Sequence, residues 1–320
     1  MALTPPPTPS PLSSRSATPI ETPPFVKSES PVADLSAAPA AVDRTHSSEA
    51  AAQVPPNLFL EILSNLYSVP FDKPGHQDPS NVSYYLGERA LERSNALRAM
   101  SQTCRDWRRT LLPVLYQSLE VGAIVRPEAQ ADDQWFIQCA ERLISKCGGL
   151  ADNPQFAWYT RSIRVVISQH RLTETLPAFA RCMRACINLQ VVNVHFAQAE
   201  TATDFKKAFQ GLTFPSVEIA ILPTQAHQLL RCCPNVKKVV CHQGDGSQII
   251  TAMKQACKSV EVIVGIRSNE RVVERLVEAG PLLREVRFGL TGDITTIQIL
   301  ELLKPLKHLK IVQVGRSPLS

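Results

Sequence analysis

A chain of 320 residues with 20% charged and 44% hydrophobic side chains has the make-up of about two globular domains. Its net charge is +5; residues 1–50 carry three Lys/Arg against five Asp/Glu, a net −2, which leaves +7 on the remainder. That mild excess lacks the clustered Lys/Arg and interleaved aromatics of a nucleic-acid binder, and no apolar run approaches the roughly 20 residues of a membrane span.

The first segment, residues 1–52, holds ten prolines by position 40 with many Ser, Thr and Ala. It has too little apolar periodicity to offset its ordering entropy, so disorder is expected. Thr4, Thr8, Ser10, Thr18, Thr22 and Ser30 each precede a proline and are candidate sites for proline-directed phosphorylation. Val26-Lys27-Ser28-Glu29 has the form of a sumoylation site. The N-terminus lacks the basic end and leucine core of a signal peptide. Nine cysteines, an odd count in no regular framework, fit a reducing compartment, cytoplasm or nucleus, with thiols unpaired. Cys182/Cys186 and Cys232/Cys233/Cys241/His242 lack paired C-x-x-C knuckles, so they read as small core residues, and neither a metal nor a cofactor is expected.

Two blocks follow, Val54–Leu66 and Ala96–Arg108. The first opens on Pro55-Pro56, suited to a first helical turn, and repeats Leu58, Ile62 and Leu66 at helical spacing, with Leu63 widening the stripe. In the second, Leu97, Met100, Cys104 and Trp107 recur at three- and four-residue steps, and Pro113 is expected to stop or kink the pattern before Leu115-Tyr116. So few residues present more apolar surface than they can bury alone.

These blocks resemble an F-box, whose pattern opens on Leu-Pro-x-Glu-(Ile/Leu)-Leu and closes on (Val/Leu)-Cys-(Arg/Lys)-x-Trp. Pro55, Leu58, Ile62, Leu63, Leu66, Cys104, Arg105 and Trp107 match in order and spacing, while Val54 and Asn57 replace the usual Leu and Glu. Leu112–Leu119 looks like the tail common in fungal F-box proteins. On this reading residues 53–122 form the F-box, interrupted by a polar, Pro-containing loop at about 68–94 that is longer than the family's usual spacing. The resemblance implies a surface for a Skp-type adaptor made by Pro55, Leu58, Ile62, Leu63, Leu66, Leu97, Met100, Cys104 and Trp107.

A helical connector is expected over 123–160, with a helix at Asp132–Cys147 closed by Gly148-Gly149. Over 161–316 the rhythm changes. Strand segments at 188–194, 216–221, 235–241, 259–264, 282–288 and 308–314 alternate with helices such as Ser247–Cys257 and Glu270–Ala279. Their first apolar positions are 19 to 28 residues apart, 24 on average, and an earlier strand at 162–168 lies 26 before the first. Such a period has leucine-rich-repeat character: each strand-plus-helix unit buries its apolar face only by stacking on its neighbours. The expected fold class is therefore α/β, a helical F-box followed by a leucine-rich-repeat-like solenoid behind a disordered tail. A doubly wound or barrel α/β enzyme remains the rival, since alternating strands and helices fit it too.

No Gly-rich phosphate loop, G-x-S-x-G elbow or H-E-x-x-H is present, so catalysis by the chain itself is not expected. What the resemblance implies is the substrate-recognition subunit of a Skp–cullin–F-box ubiquitin ligase, whose partners are the adaptor, the cullin and a protein client. An F-box scaffold that binds without ubiquitylation stays open, as does an α/β enzyme with an unrecognised site. Because side chains alternate along a strand, Asn193, His195, Lys238, His242, Arg287 and Gln313 are expected on one client-facing side. Their basic lean suits an acidic or phosphorylated peptide. The register of the strand within 260–266 is open, and a one-residue slip would turn its side chains over.

Overall fold

The computed structural model describes residues 61, 92–121, 132–195, 201–289 and 294–315. Residues 1–52 with their Ser/Thr-Pro pairs, the block containing Pro55, Leu58, Ile62, Leu63 and Leu66, and nearly all of the 68–94 insertion lie outside them. All described residues fall in one unit by contact, Thr45–Ser320.

Residues 92–101 are helical and α1 spans Arg105–Gln117, so the apolar stripe from Leu97 to Trp107 is split between two helices. The split has a local cause. The amides of Gln102 and Thr103 close back on Ala99 and Met100, and the Thr103 hydroxyl donates to the Met100 carbonyl at 2.8 Å. Cys104 is then extended and starts α1. Pro113 does not stop α1; it sits within it. Leu111 is fully buried against Leu97, and that packing offsets the hydrogen bond that the proline forfeits.

α1 runs directly into β1, Ser118–Glu120, which the sequence had suggested was only a tail. β1 pairs in parallel with β2, Ser162–Val166, with Leu119 opposite Ile163. Between them lie α2 (Asp132–Ala151) and the single turn α3 (Pro154–Ala157). Gly148-Gly149 do not end α2. Leu150, beyond them, is buried in the core, and the Asn153 amide donates to the Gly149 carbonyl at 2.6 Å to finish the helix. Burial of one leucine outweighs the roughly 1 kcal/mol that each helical glycine costs.

The remainder alternates strictly. It comprises α4 (Leu172–Ala185), β3 (Val191–His195), α5 (Ala202–Phe209), β4 (Ile219–Pro223) and α6 (His227–Leu230). Then come β5 (Lys238–Gln243), α7 (Ser247–Ala256), β6 (Val262–Ile266), α8 (Glu270–Ala279), β7 (Glu285–Phe288), α9 (Thr296–Leu303) and β8 (Ile311–Val314). β2 starts at Ser162 as the sequence suggests, and each strand from β3 to β8 starts three residues later than it suggests. The leading apolar residues, Leu189, Val217, Val236, Val260 and Leu283, are buried in the turn before the strand and plug the core from below.

All eight strands are parallel and stand in the sheet in the order of the sequence. A doubly wound sheet reverses its order at a switch point, and this one does not. β1 and β8 occupy opposite ends of the order, where a barrel would join them. Crossovers that always step the same way stack the helices on one face; at the β2 end the start of α2 also reaches the other side, where Trp135 and Cys139 pack on Val166, the register partner of His195. Burial agrees: the row Ile163, Val192, Ala220, Val239, Ile263, Val286 is buried and continuous in register from β2 to β7.

One backbone stitch recurs at six successive strand entries. The carbonyls of Arg161, Gln190, Glu218, Lys237, Glu261 and Arg284 each accept two consecutive amides of the next unit, at 2.7 to 3.1 Å. In two units an asparagine adds a side-chain bond to the turn of the unit before, Asn188 to the Trp158 carbonyl and Asn235 to that of Pro215, both at 2.9 Å. Register is thereby passed from unit to unit. The open register of β6 resolves at Gly265, which has φ +83° and sits where the ladder to β7 shifts. A Cβ there would lie 1.9 Å from the Cys241 carbonyl oxygen, so only glycine fits. The bulge lets Ile263 and Ile266 both turn inward although they are three apart.

Candidate functional site

Helices cover one face of the sheet, and alternation sends every second strand residue to the other. On that uncovered face two ladder rows run side by side. The central strands supply Val191, Ile219, Ile221, Val240, Val262 and Val264, all half-buried. Polar groups flank them, with Glu120, Arg164 and Asn193 on the side of β1, and Glu285, Arg287 and Gln313 on the side of β8. The middle of the face is thus mostly aliphatic, with Lys238 set between Ile219 and Val262, and its flanks are charged or polar.

Asn193, His195, Lys238, His242, Arg287 and Gln313 all fall on this face, in the phase that alternation gives. Their surroundings differ from a plain basic strip. Arg287 Nε is bonded to Glu285 Oε1 on the same strand, so much of its charge is compensated where it stands. Asn193 is only 5% exposed, and its Oδ1 has no hydrogen-bond partner. Gln313 and Ile311 are exposed on the edge strand β8.

Among these six, Arg287 and Gln313 are register partners on β7 and β8, and His195 and His242 bring their rings together across a strand. Their ring centres are 5.2 Å apart and their planes are inclined at 53°. They reach toward each other from β3 and β5, with β4 and its terminal Pro223 between. The ladder from β4 to β5 shifts at Leu222/Pro223, so His242 has no opposite number, the arrangement by which a bulge re-aims a side chain. Burial drives the His195 pKa down to about 3, with His242 and Arg164 adding to it, and burial alone drives His242 down to about 4. Both rings are neutral at pH 7. Neither nitrogen of His242 has a hydrogen-bond partner.

At the other end of the described chain, Met100, Cys104 and Trp107 are half-buried, while Leu97 is 2% exposed against Leu111. Leu97 therefore supports this block from inside and offers almost no surface of its own. A shallow cleft of about 200 Å³ lies beside it, lined by Pro113, Val114, Gln117, Trp158, Tyr159 and Arg161. Trp158 is 55% exposed there. Single-residue reading missed Trp158, because nothing in its local pattern distinguishes a turn aromatic from a core one. It also missed Arg164, although alternation along the expected strand at 162–168 gave its phase, and Glu120, whose signal, Ser118-Leu119-Glu120, was too short to stand out as a strand.

The cysteines behave as core. Eight of the nine are buried. Cys186 is held above the ordinary thiol range by its bond to Cys182 and by burial, and burial pushes Cys139 and Cys257 up to about 12. Among the described residues no three His, Cys, Asp or Glu side chains come together as a metal-binding group, and no helix is long and apolar enough to cross a membrane. No protein-family model matches this chain, and no curated protein matches it.

Proposed function

We propose that this chain is the substrate-recognition subunit of a Skp–cullin–F-box ubiquitin ligase acting in the cytoplasm or nucleus. Residues 53–122 form the F-box that binds the Skp-type adaptor, and residues 161–316 form a leucine-rich-repeat-like solenoid that binds a protein client. The observation that carries the reading is the join between the two. The helix bearing Cys104-Arg105-x-Trp107 leads without a linker into the first strand of a one-sided, strictly sequential parallel sheet. A stack of units joined by the same stitch supports the repeat reading, because each unit completes only its neighbour.

The chain does no covalent chemistry in this scheme. It raises the effective concentration of the client next to a ubiquitin-loaded partner. Aliphatic residues at the centre of the uncovered face supply most of the contact area, and Lys238, with what Glu285 leaves of the Arg287 charge, steers an acidic or phosphorylated segment onto it.

The test is capture of the adaptor and cullin by the tagged full chain. Leu58→Asp with Ile62→Asp is expected to abolish adaptor capture by placing unpaired charge in an apolar contact, with the thermal melt unchanged. Full-strength capture by the double variant overturns the F-box reading. Adaptor capture without cullin turns the chain into a binding scaffold. Lys238→Glu with Arg287→Glu is expected to lose clients and keep the adaptor; unchanged client capture moves the client site elsewhere.

A further inference from the structure

A buried imidazole with both nitrogens unpartnered is costly. A neutral ring always has one N–H to donate and one lone pair to offer, and leaving either unmet in a dry place costs on the order of 1–3 kcal/mol. His242 bears that cost twice. Its nearest ring neighbour is another imidazole, His195, and the strand between them ends on Pro223, which has no N–H to give. Two residues before His195 on the same face, Asn193 holds a buried oxygen that is also unpartnered.

We infer that His195 and His242 form a two-histidine site for a divalent transition metal of the zinc, nickel or copper class. The spacing suits such an ion. Zinc–nitrogen bonds are about 2.0–2.1 Å, and a ring centre lies about 1.1 Å behind its nitrogen, so two imidazoles on one tetrahedral ion have centres about 5 Å apart. The observed separation is 5.2 Å. Imidazole is the donor these metals share. Asn193 Oδ1 supplies an acceptor on the same face for a ring N–H or for water on the ion, the usual outer support of a histidine ligand. The Arg164 charge near His195 works against a dication, so the site is expected to be weaker than one with three protein ligands.

Two protein ligands leave tetrahedral positions unfilled, as in sites that accept an incoming group. If the uncovered face is the client surface, a histidine, cysteine or carboxylate of the client completes the coordination; this part rests on the function proposed above, and the metal site does not.

The experiment is a calorimetric titration of the full chain with zinc chloride, beside His195→Gln, His242→Gln and the double variant. The unmodified chain should take up a single equivalent, each single variant should bind at least about tenfold more weakly, and the double variant should not bind at this site. Zinc should raise the melting temperature of the unmodified chain and leave that of the double variant where it was. Absence of uptake by the unmodified chain overturns the inference, and so does equal uptake by the double variant, which would assign the zinc to thiols. Where a variant lacks a cooperative melt, the paramagnetic resonance spectrum of the unmodified chain with one equivalent of copper(II) decides. Coupling to two nitrogens supports the site, and sulfur or oxygen coordination alone overturns it. Adaptor capture is scored on the same samples. Its failure would overturn the ligase reading and leave the metal result standing.

Discussion

The helical block around α1 and the sheet beyond it bury their apolar residues in different ways. Among the described residues of the block, Leu97 and Leu111 are fully inside, with Met100, Trp107, Val114 and Leu115 half-buried around them. In the sheet one continuous cluster runs from Val121 to Leu306, and every unit adds to it from both strand and helix. The lesson concerns continuity. Among the described residues Leu97 and Leu111 form a cluster apart, whereas the sheet joins residues from every unit into one.

The strongest way to break that contrast is in the large core. Phe179 is fully buried and edge-on to Phe209, so Phe179→Ala should lower stability by about 3–5 kcal/mol in denaturant unfolding. Leu111→Ala should act locally, loosening amide exchange in α1 while the amides of β3 to β7 stay protected. If both substitutions depress the whole sheet equally, the two regions share one core and the contrast fails.

Gly265→Ala comes next. It places a side chain at positive φ against the Cys241 carbonyl, and a loss of about 1–3 kcal/mol is expected. A neutral result would mean that the β6 bulge straightens without cost.

Acid should act on the uncovered face. The folded chain holds His195 and His242 neutral down to about pH 3 and 4, while in the unfolded chain they gain protons below about 6.5. Their contribution to stability is therefore complete above pH 6.5 and is lost as pH falls toward the folded values, by up to about 2 kcal/mol for each at pH 5. His242→Gln should flatten the stability-versus-pH curve between pH 6.5 and 4. The same slope in the variant would show that another group carries it.

The smallest effect is at the turns. Asn235→Ala removes the bond to the Pro215 carbonyl and should cost about 1 kcal/mol, read as a lowered denaturant midpoint with unchanged slope. A change in slope would mean that one lost bond divides the sheet into separately melting parts.

Much of the sheet was legible in the sequence, because a period near 24 and strict alternation are properties of residue order. The phase of Asn193, His195, Lys238, His242, Arg287 and Gln313 followed from alternation alone. Three features did not follow. The strand at Ser118–Glu120 is short and gains its bonds from β2, 44 residues on. Helix α2 passes two glycines because Leu150 finds a core that no local pattern announces. The pairing of His195 with His242 depends on a ladder shift at Leu222/Pro223, which moves one ring by a single residue relative to a strand two places away. The compensation of Arg287 by Glu285 was legible too, since alternation puts an i, i+2 pair on one side of the strand.

The doubled acceptance by each carbonyl at the strand entries has a consequence for how such a chain changes over generations. Every unit is addressed by its predecessor alone, through the same two amides. A gene duplication that copies a whole unit of about 24 residues hands the copy a ready acceptor on one side and makes it an acceptor on the other. A copy of half a unit does neither, and it inverts the faces of everything downstream when it adds an odd number of strand residues. Length can therefore drift in whole units while the two ends keep their own partners, and the width of the uncovered face becomes a quantity that inheritance can count.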